Sequence, residues 1–406
     1  MNGRERVLVA LRHEEPDRVP IDLGSMPSTG IMAIAYARLK RYLGLTRGTV
    51  RVYDVMQQLA EPEKEILELF HIDVIDLKRS LEPCGVSWGK WKKWTLPSGD
   101  ECEVPEYFNP VPDGTGGWVI RDEAGRVIAK MPKGGYYFDS LYHPLKNVRN
   151  VREVREYNWS KHFISDEYVR FLERKAEILS KSTEYAILYH SAGSIHEWGQ
   201  GLRGWKNWLI DLVSRKHIAE AMIEEMMEVL RYNLKRLVSA LDGKIQIIGF
   251  GDDLGTQVGP QISLKTYREM LKPWHEELFQ YVKKHSKLYV FLHSCGSIYQ
   301  LIPDLIDAGV DILNPVQISA RDMDPERLKK EFGEQLTFWG GGIDTQNVLN
   351  RASPEQVAEH VRRNISIFAR GGGYVFNQVH NIQADVPPEN VVAMFDAAYK
   401  YGRYPI

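Results

Sequence analysis

From residue 185 onward, short apolar runs alternate with long stretches of helical periodicity. The runs are YAILYH (185–190), IQIIGF (245–250), LYVFLH (288–293), VDIL (310–313), LTFWGG (336–341) and YVFNQV (374–379). Patterns of period 3.6, such as 219–241 and 354–370, separate most of them. Continuous apolar strands divided by helices imply a parallel sheet covered on both faces. Upstream, an amphipathic helix is expected over 3–12, and VPIDLGS reads as a first strand running into Gly24 and Ser25. Residues 33–79 read as helical, with Tyr36, Leu39, Tyr42 and Leu43 on one face and a second helix over 61–70.

With one strand still to be placed, the count predicts an α/β chain folded as a single distorted (β/α)8 TIM barrel with an N-terminal helical extension. A doubly wound sheet is the runner-up, disfavoured because no Gly-rich dinucleotide fingerprint follows any strand. One segment breaks the alternation. Residues 84–140 are rich in Gly, Pro and Trp, and GGWVIRDEAGRVIAKMP reads as a hairpin turning at Glu123 to Gly125. We therefore expect one barrel over 1–406, carrying a β-rich insertion or cap at 84–140.

Composition narrows the function classes. At 406 residues, 43% apolar and 26% charged, the chain can bury a large core. A formal net charge of -2 and the lack of a basic stripe argue against nucleic acid. No leader pattern and no bilayer-length apolar stretch are present, so a cytoplasmic protein without membrane contact is expected. Cys84, Cys102 and Cys295 cannot all pair with one another, which leaves free thiols or a metal ligand.

In such a barrel, the reacting groups stand at the C-terminal ends of strands. That rule selects Ser25, Tyr189, His190, Glu197, Trp198, Asp252, Asp253, Gln257, Asn314 and His380 among the polar residues that end or follow the apolar runs. In GDDLGTQVGP, two adjacent carboxylates are suited to share a proton, orient a histidine or hold a cation. A turn cap at Asp252 and a salt bridge at Asp253 are the simpler alternatives. Glu197 beside Trp198 suits an amphipathic organic substrate, whereas Trp205 and Trp208 read as packing residues.

HSCGS, 293–297, is the most chemically specific stretch. Zinc accepts imidazole and thiolate, and His293 and Cys295 can face one ion if a turn starts between them. His380, at the end of another strand, is a third candidate donor. The alternative is that Cys295 is a small core residue.

Across nearly the whole chain, RERVLVALRHEEPDRVPIDLG, LRGWKNWLIDL, DDLGTQVGPQISLKTYREMLKPWHEEL, HSCGSIYQLIPDLIDAGVDILNPVQ and ADVPPENV resemble the uroporphyrinogen decarboxylase superfamily. The resemblance implies a distorted (β/α)8 barrel. Its metal-free decarboxylases carry an arginine-rich segment after the first strand for a substrate with eight carboxylates; here that stretch is DLGSMPSTG, without arginine. The corrinoid-linked methyltransferase branch includes members that bind zinc through His-any-Cys and a later Cys. His293 and Cys295 match the pair, and the later position falls on His380.

The resemblance then implies a corrinoid-protein-dependent methyltransferase, an O-demethylase of methoxylated aromatic compounds. Zinc would lie on His293, Cys295 and His380, with Asp253 or Glu197 as a fourth ligand or proton donor. Ser25, Tyr189, His190, Trp198, Asp252, Gln257 and Asn314 would face a small aromatic methyl donor. The chain has no Asp-any-His-any-any-Gly signature, so the corrinoid is expected on a separate corrinoid-binding protein. Transfer from methylcorrinoid to a thiol or folate, and metal-free decarboxylation, are the alternatives; oligomeric state is left open.

Overall fold

The computed structural model describes residues 1–78 and 90–406. Cys84 and the start of the expected insertion lie outside the described residues. Seven parallel strands form one sheet, in the order Val74–Asp76, Ala186–Tyr189, Ile247–Gly251, Tyr289–His293, Ile312–Asn314, Thr337–Trp339 and Tyr374–Val375. Segment 19–23 joins the two edges. Ile21 pairs in parallel with Phe376, the Asp22 N–H donates to the Phe376 carbonyl (2.9 Å), and the Asp73 N–H donates to the Ile21 carbonyl (2.8 Å). The sheet thus closes as an eight-stranded barrel, a geometry that removes exposed strand edges.

The strand that the sequence pattern could not place is Val74–Asp76, inside the stretch read as helical. The stretch is helical only in part: helices Ala33–Tyr42 and Lys64–Leu69 are present, but strands Val52–Asp54 and Leu59–Ala60 separate them and Val74–Asp76 follows. Three residues are too few to show a period, and only the neighbouring strands bury both faces of Val74–Asp76.

Inside the barrel, Val74, Leu188, Ile247, Phe291, Ile312, Trp339 and Val375 form one apolar cluster with Val7 and Leu11 of the first helix, Gly3–Leu11. That helix closes the bottom. A buried ion network fixes the seam nearby. Asp73 receives Arg6 Nη1 at 2.6 Å, Arg18 Nη1 at 2.7 Å and the Ile21 N–H at 2.8 Å. Asp22, fully buried, accepts from Trp339 Nε1 across the barrel at 2.9 Å. Outside, long helices such as Lys216–Leu241 and Pro354–Phe368 cover the sheet; Ser353 and Gln356 form a reciprocal capping box at the start of the latter.

The β-rich segment is present as a hairpin, Trp91–Thr95 with Glu101–Pro105, and a four-stranded antiparallel sheet spanning Val111 to Ser140. Its central hairpin turns between Arg121 and Val127, where Gly125 takes φ +78°. It is fastened beside the barrel mouth. The Phe138 N–H donates to the Met56 carbonyl at 2.8 Å, and the Tyr137 hydroxyl donates to Asn381 Oδ1 at 3.0 Å, one residue beyond His380. Among the described residues, no helix is long and apolar enough to cross a membrane.

Candidate metal centre

At the C-terminal ends of two adjacent strands, Asp253, His293 and Cys295 each offer one donor atom, all within 4.8 Å of one another. His293 Nε2 lies 3.4 Å from Cys295 Sγ and 3.5 Å from Asp253 Oδ1. The Cys295 N–H donates to the same Asp253 oxygen at 2.7 Å. The turn after His293 requires Gly296, whose φ is +90°. A Cβ on Gly255 would meet the Cys295 carbonyl oxygen at 2.5 Å, and one on Gly296 would meet the Gly255 carbonyl carbon at 2.6 Å. The two glycines let the Asp253 and Cys295 loops pack backbone to backbone.

The imidazole tautomer follows from its neighbour. Asn314 is fully buried, and its Nδ2 donates to the Trp339 carbonyl at 2.8 Å, so its Oδ1 is the atom turned to His293 Nδ1 at 2.7 Å. The same oxygen accepts the Ser28 hydroxyl at 3.0 Å. An acceptor at Nδ1 keeps the proton there and leaves the Nε2 lone pair facing Cys295 and Asp253. Burial, and then the charges of Asp253 and Glu197, push the Cys295 thiol well above its ordinary value. A thiolate there calls for a cation. Imidazole nitrogen, sulfur and one carboxylate oxygen fit zinc better than magnesium or calcium, and three protein donors leave a fourth position open.

The two aspartates have separate tasks. Asp252 is buried and accepts the Ile195 and Glu197 N–H groups, each at 2.8 Å, and faces His275 Nε2 at 2.7 Å. His275 Nδ1 in turn lies 3.2 Å from the Tyr267 hydroxyl. Burial raises the Asp252 carboxyl, but the hydrogen bond from His275, the nearby histidines and the Glu197 N–H together outweigh it, so the group is held below its usual range. Asp252 therefore anchors the backbone that carries Glu197. The Glu197 carboxyl opens onto a cavity of about 350 Å³ whose wall includes His190, Ser194, Trp198 and Leu230. Glu197 is exposed at this opening; loss of hydration from the surrounding protein, then the charges of Asp253 and Asp252, push its carboxyl up to about 8.

Of the residues selected from sequence, Asp253, Glu197, His190, Trp198, His293 and Cys295 thus converge on one mouth. His380 is half-buried and within electrostatic reach of His293 and Asp253, but it is not one of the three donors within 4.8 Å; Asp253 takes that place. Asn314 orients His293 from behind. Ser25 is fully buried with its hydroxyl donated to Asp22 at 2.6 Å, and Tyr189 is buried in a hydrogen bond with Tyr168. Gln257 lies exposed on the rim. Sequence reasoning passed over His275, Ser28, Asp76 and Lys78. Asp76 ends the unplaced strand and Lys78 follows it, and the first two act through side chains remote in sequence.

Residues 192–401 match the family model described as Uroporphyrinogen decarboxylase (URO-D). The uroporphyrinogen decarboxylase of Pseudoalteromonas atlantica (strain T6c / ATCC BAA-1087) is 34% identical over 79 residues, 20% of this chain and 21% of the relative. That of Serratia proteamaculans (strain 568) is 43% identical over 77 residues, 19% and 21%. The chain thus spans about a fifth of the length of these curated relatives. A solved methyltransferase from Methanosarcina mazei superposes with a TM-score of 0.60 at 15% identity, covering 99% of both chains, which shows a shared fold.

Proposed function

The chain belongs to the uroporphyrinogen decarboxylase family, and from that premise we propose a methyltransferase that demethylates methoxylated aromatic compounds and passes the methyl group to the corrinoid of a separate protein. The observation that carries this reading is the Asp253–His293–Cys295 cluster beside Glu197. The arginine-free stretch 22–30 supports it, because a substrate with many carboxylates needs cations at the mouth. The fold shared with the Methanosarcina mazei methyltransferase is compatible with it.

Held by Asp253, His293 and Cys295, zinc would supply Lewis acidity toward an ether oxygen, and the partner's corrinoid would supply the nucleophile that accepts the methyl group. The remaining work falls to the chain. Glu197, beside the three donors, stands as general acid: as the methyl–oxygen bond breaks, its electrons stay on oxygen, which takes the Glu197 proton and leaves as a phenol. Asp252 keeps the Glu197 backbone in place, and Asn314 keeps His293 in the Nδ1–H tautomer. Trp198, on the cavity wall, offers an aromatic face. A carboxylate oxygen in place of a second sulfur donates less electron density to the ion, which suits polarising an ether oxygen better than activating a thiol acceptor.

The test is direct. Zinc-loaded protein, a reduced corrinoid protein and a methoxybenzoate should yield the hydroxybenzoate in step with methylation of the corrinoid. Full zinc occupancy without phenol would sink the proposal, and methylation of an added thiol would favour the reverse transfer. Full activity of a zinc-free Cys295→Ser protein would point to metal-free chemistry instead.

A further inference from the structure

The hexapeptide HSAGSI at His190–Ile195 recurs as HSCGSI at His293–Ile298. Each follows a barrel strand, and those two strands flank Ile247–Gly251. Both are tied to that middle strand and its loop: the Ala192 N–H donates to Gly249 and the Gly251 N–H to Gly193, while on the other side the Asp252 N–H donates to His293 and the Ser297 N–H to Thr256. The mouth therefore has two corners built alike. Their difference is chemical.

In the second copy, His293 Nε2 faces the Cys295 thiol at 3.4 Å, with Asp253 beside it. In the first, Ala192 stands at the cysteine position, and His190 Nε2 faces the Lys78 ammonium at 3.3 Å. One corner offers three donors that could hold a cation, whereas the other carries a cation on a side chain. An ammonium only donates, so His190 Nε2 accepts and its Nδ1 carries the proton, turned toward Asp76 Oδ2 at 3.6 Å behind the ring. Lys78 also donates to Ser191 Oγ at 2.7 Å, and among the described residues the Ser191 hydroxyl proton and the third ammonium proton have no assigned acceptor. His190 and Ser191 line the same cavity as Glu197 and Trp198.

We infer that Lys78 and Ser191, seated on His190, bind a carboxylate at the end of this cavity away from the metal corner. The inference rests on the proposed methyl transfer and narrows its donor to methoxylated aromatic acids. Charge-assisted bonds from an ammonium and a hydroxyl would fix the acid end, directing the ether end to Glu197 and the three donors.

Binding alone tests it, with the full zinc-loaded chain and no corrinoid protein, by quenching of tryptophan fluorescence. meta-Methoxybenzoate should bind at least about tenfold more tightly than meta-methoxybenzamide, the worth of one bond to a charged group. Lys78→Met should abolish that preference without changing zinc content, and Lys78→Arg should retain part of it. Equal binding of acid and amide by the native chain, binding of neither, or a preference that survives Lys78→Met would overturn the inference. Preference for the acid with no demethylation of either ligand would leave this site standing and sink the transfer reading. Demethylation of acid and amide at the same rate would do the reverse.

Discussion

Asn314 Oδ1 lies 2.7 Å from His293 Nδ1 and can point nowhere else, because the amide's Nδ2 is held by the Trp339 carbonyl at 2.8 Å. A buried asparagine on one strand thereby selects which nitrogen of the neighbouring strand's histidine is free for a metal. Asn314→Ala should lower zinc affinity by about 10- to 100-fold, the usual effect of losing a partner behind a metal-bound imidazole. Competition with a chromophoric chelator measures it. Unchanged affinity would mean that the ring is held by packing alone.

Glu197→Gln should keep zinc bound and slow demethylation by about 100-fold or more when the product is a weakly acidic phenol. Nitrophenyl methyl ethers, whose leaving oxygen needs little protonation, should lose far less. An equal loss on both substrate types would remove the general-acid role.

Asp73 receives two arginines and the Ile21 N–H where the first and second barrel strands meet, with only 2% of its side chain exposed. Replacing it by Asn leaves two guanidinium groups facing a neutral amide. We expect a loss of about 3 kcal/mol in unfolding free energy, measured by urea denaturation. A change below about 1 kcal/mol, the level of an exposed pair, would show that water replaces the lost charge.

Burial pushes the Asp22 carboxyl up to about 6, against an ordinary 3.8, despite bonds from Ser25 and Trp339 that favour its charged form. A carboxyl raised in the folded state contributes full stability below the unfolded value and loses it as pH climbs through about 6. The shift corresponds to about 3 kcal/mol. Relative to Asp22→Asn, the native chain should lose stability between about pH 3.5 and about pH 6.5. Parallel curves for the two proteins would locate the pH dependence elsewhere.

Strands with five or more residues of apolar pattern, such as Ile247–Gly251 and Tyr289–His293, were legible in the chain, and with them the positions of Asp253, His293 and Cys295 at the mouth. Val74–Asp76 was not, because its identity as a strand depends on Ala186–Tyr189 and segment 19–23 on either side. Losing that strand also hid Asp76 and Lys78. Position at a strand end does not say which way a side chain turns. Ser25 and Asn314 sit where the pattern put them, yet their polar atoms meet Asp22 and His293. Sequence position offers Asp253 as a proton donor or fourth ligand, whereas the close packing of Gly255 against the Cys295 carbonyl makes it one of the three donors within 4.8 Å of one another. Contacts of that kind join residues about forty apart and leave no local period.

The interlock of Gly255 and Gly296 also decides where the mouth of this barrel can be re-cut. A methyl group added to either glycine collides with the opposite backbone, so a library that varies 252–256 or 294–297 would mostly sample misplaced donors rather than new specificities. Ser194, Trp198 and Leu230 line the neighbouring cavity onto which Glu197 opens, outside those loops. Saturating those three positions reshapes the room for the aromatic ring while leaving the donor loops as they are.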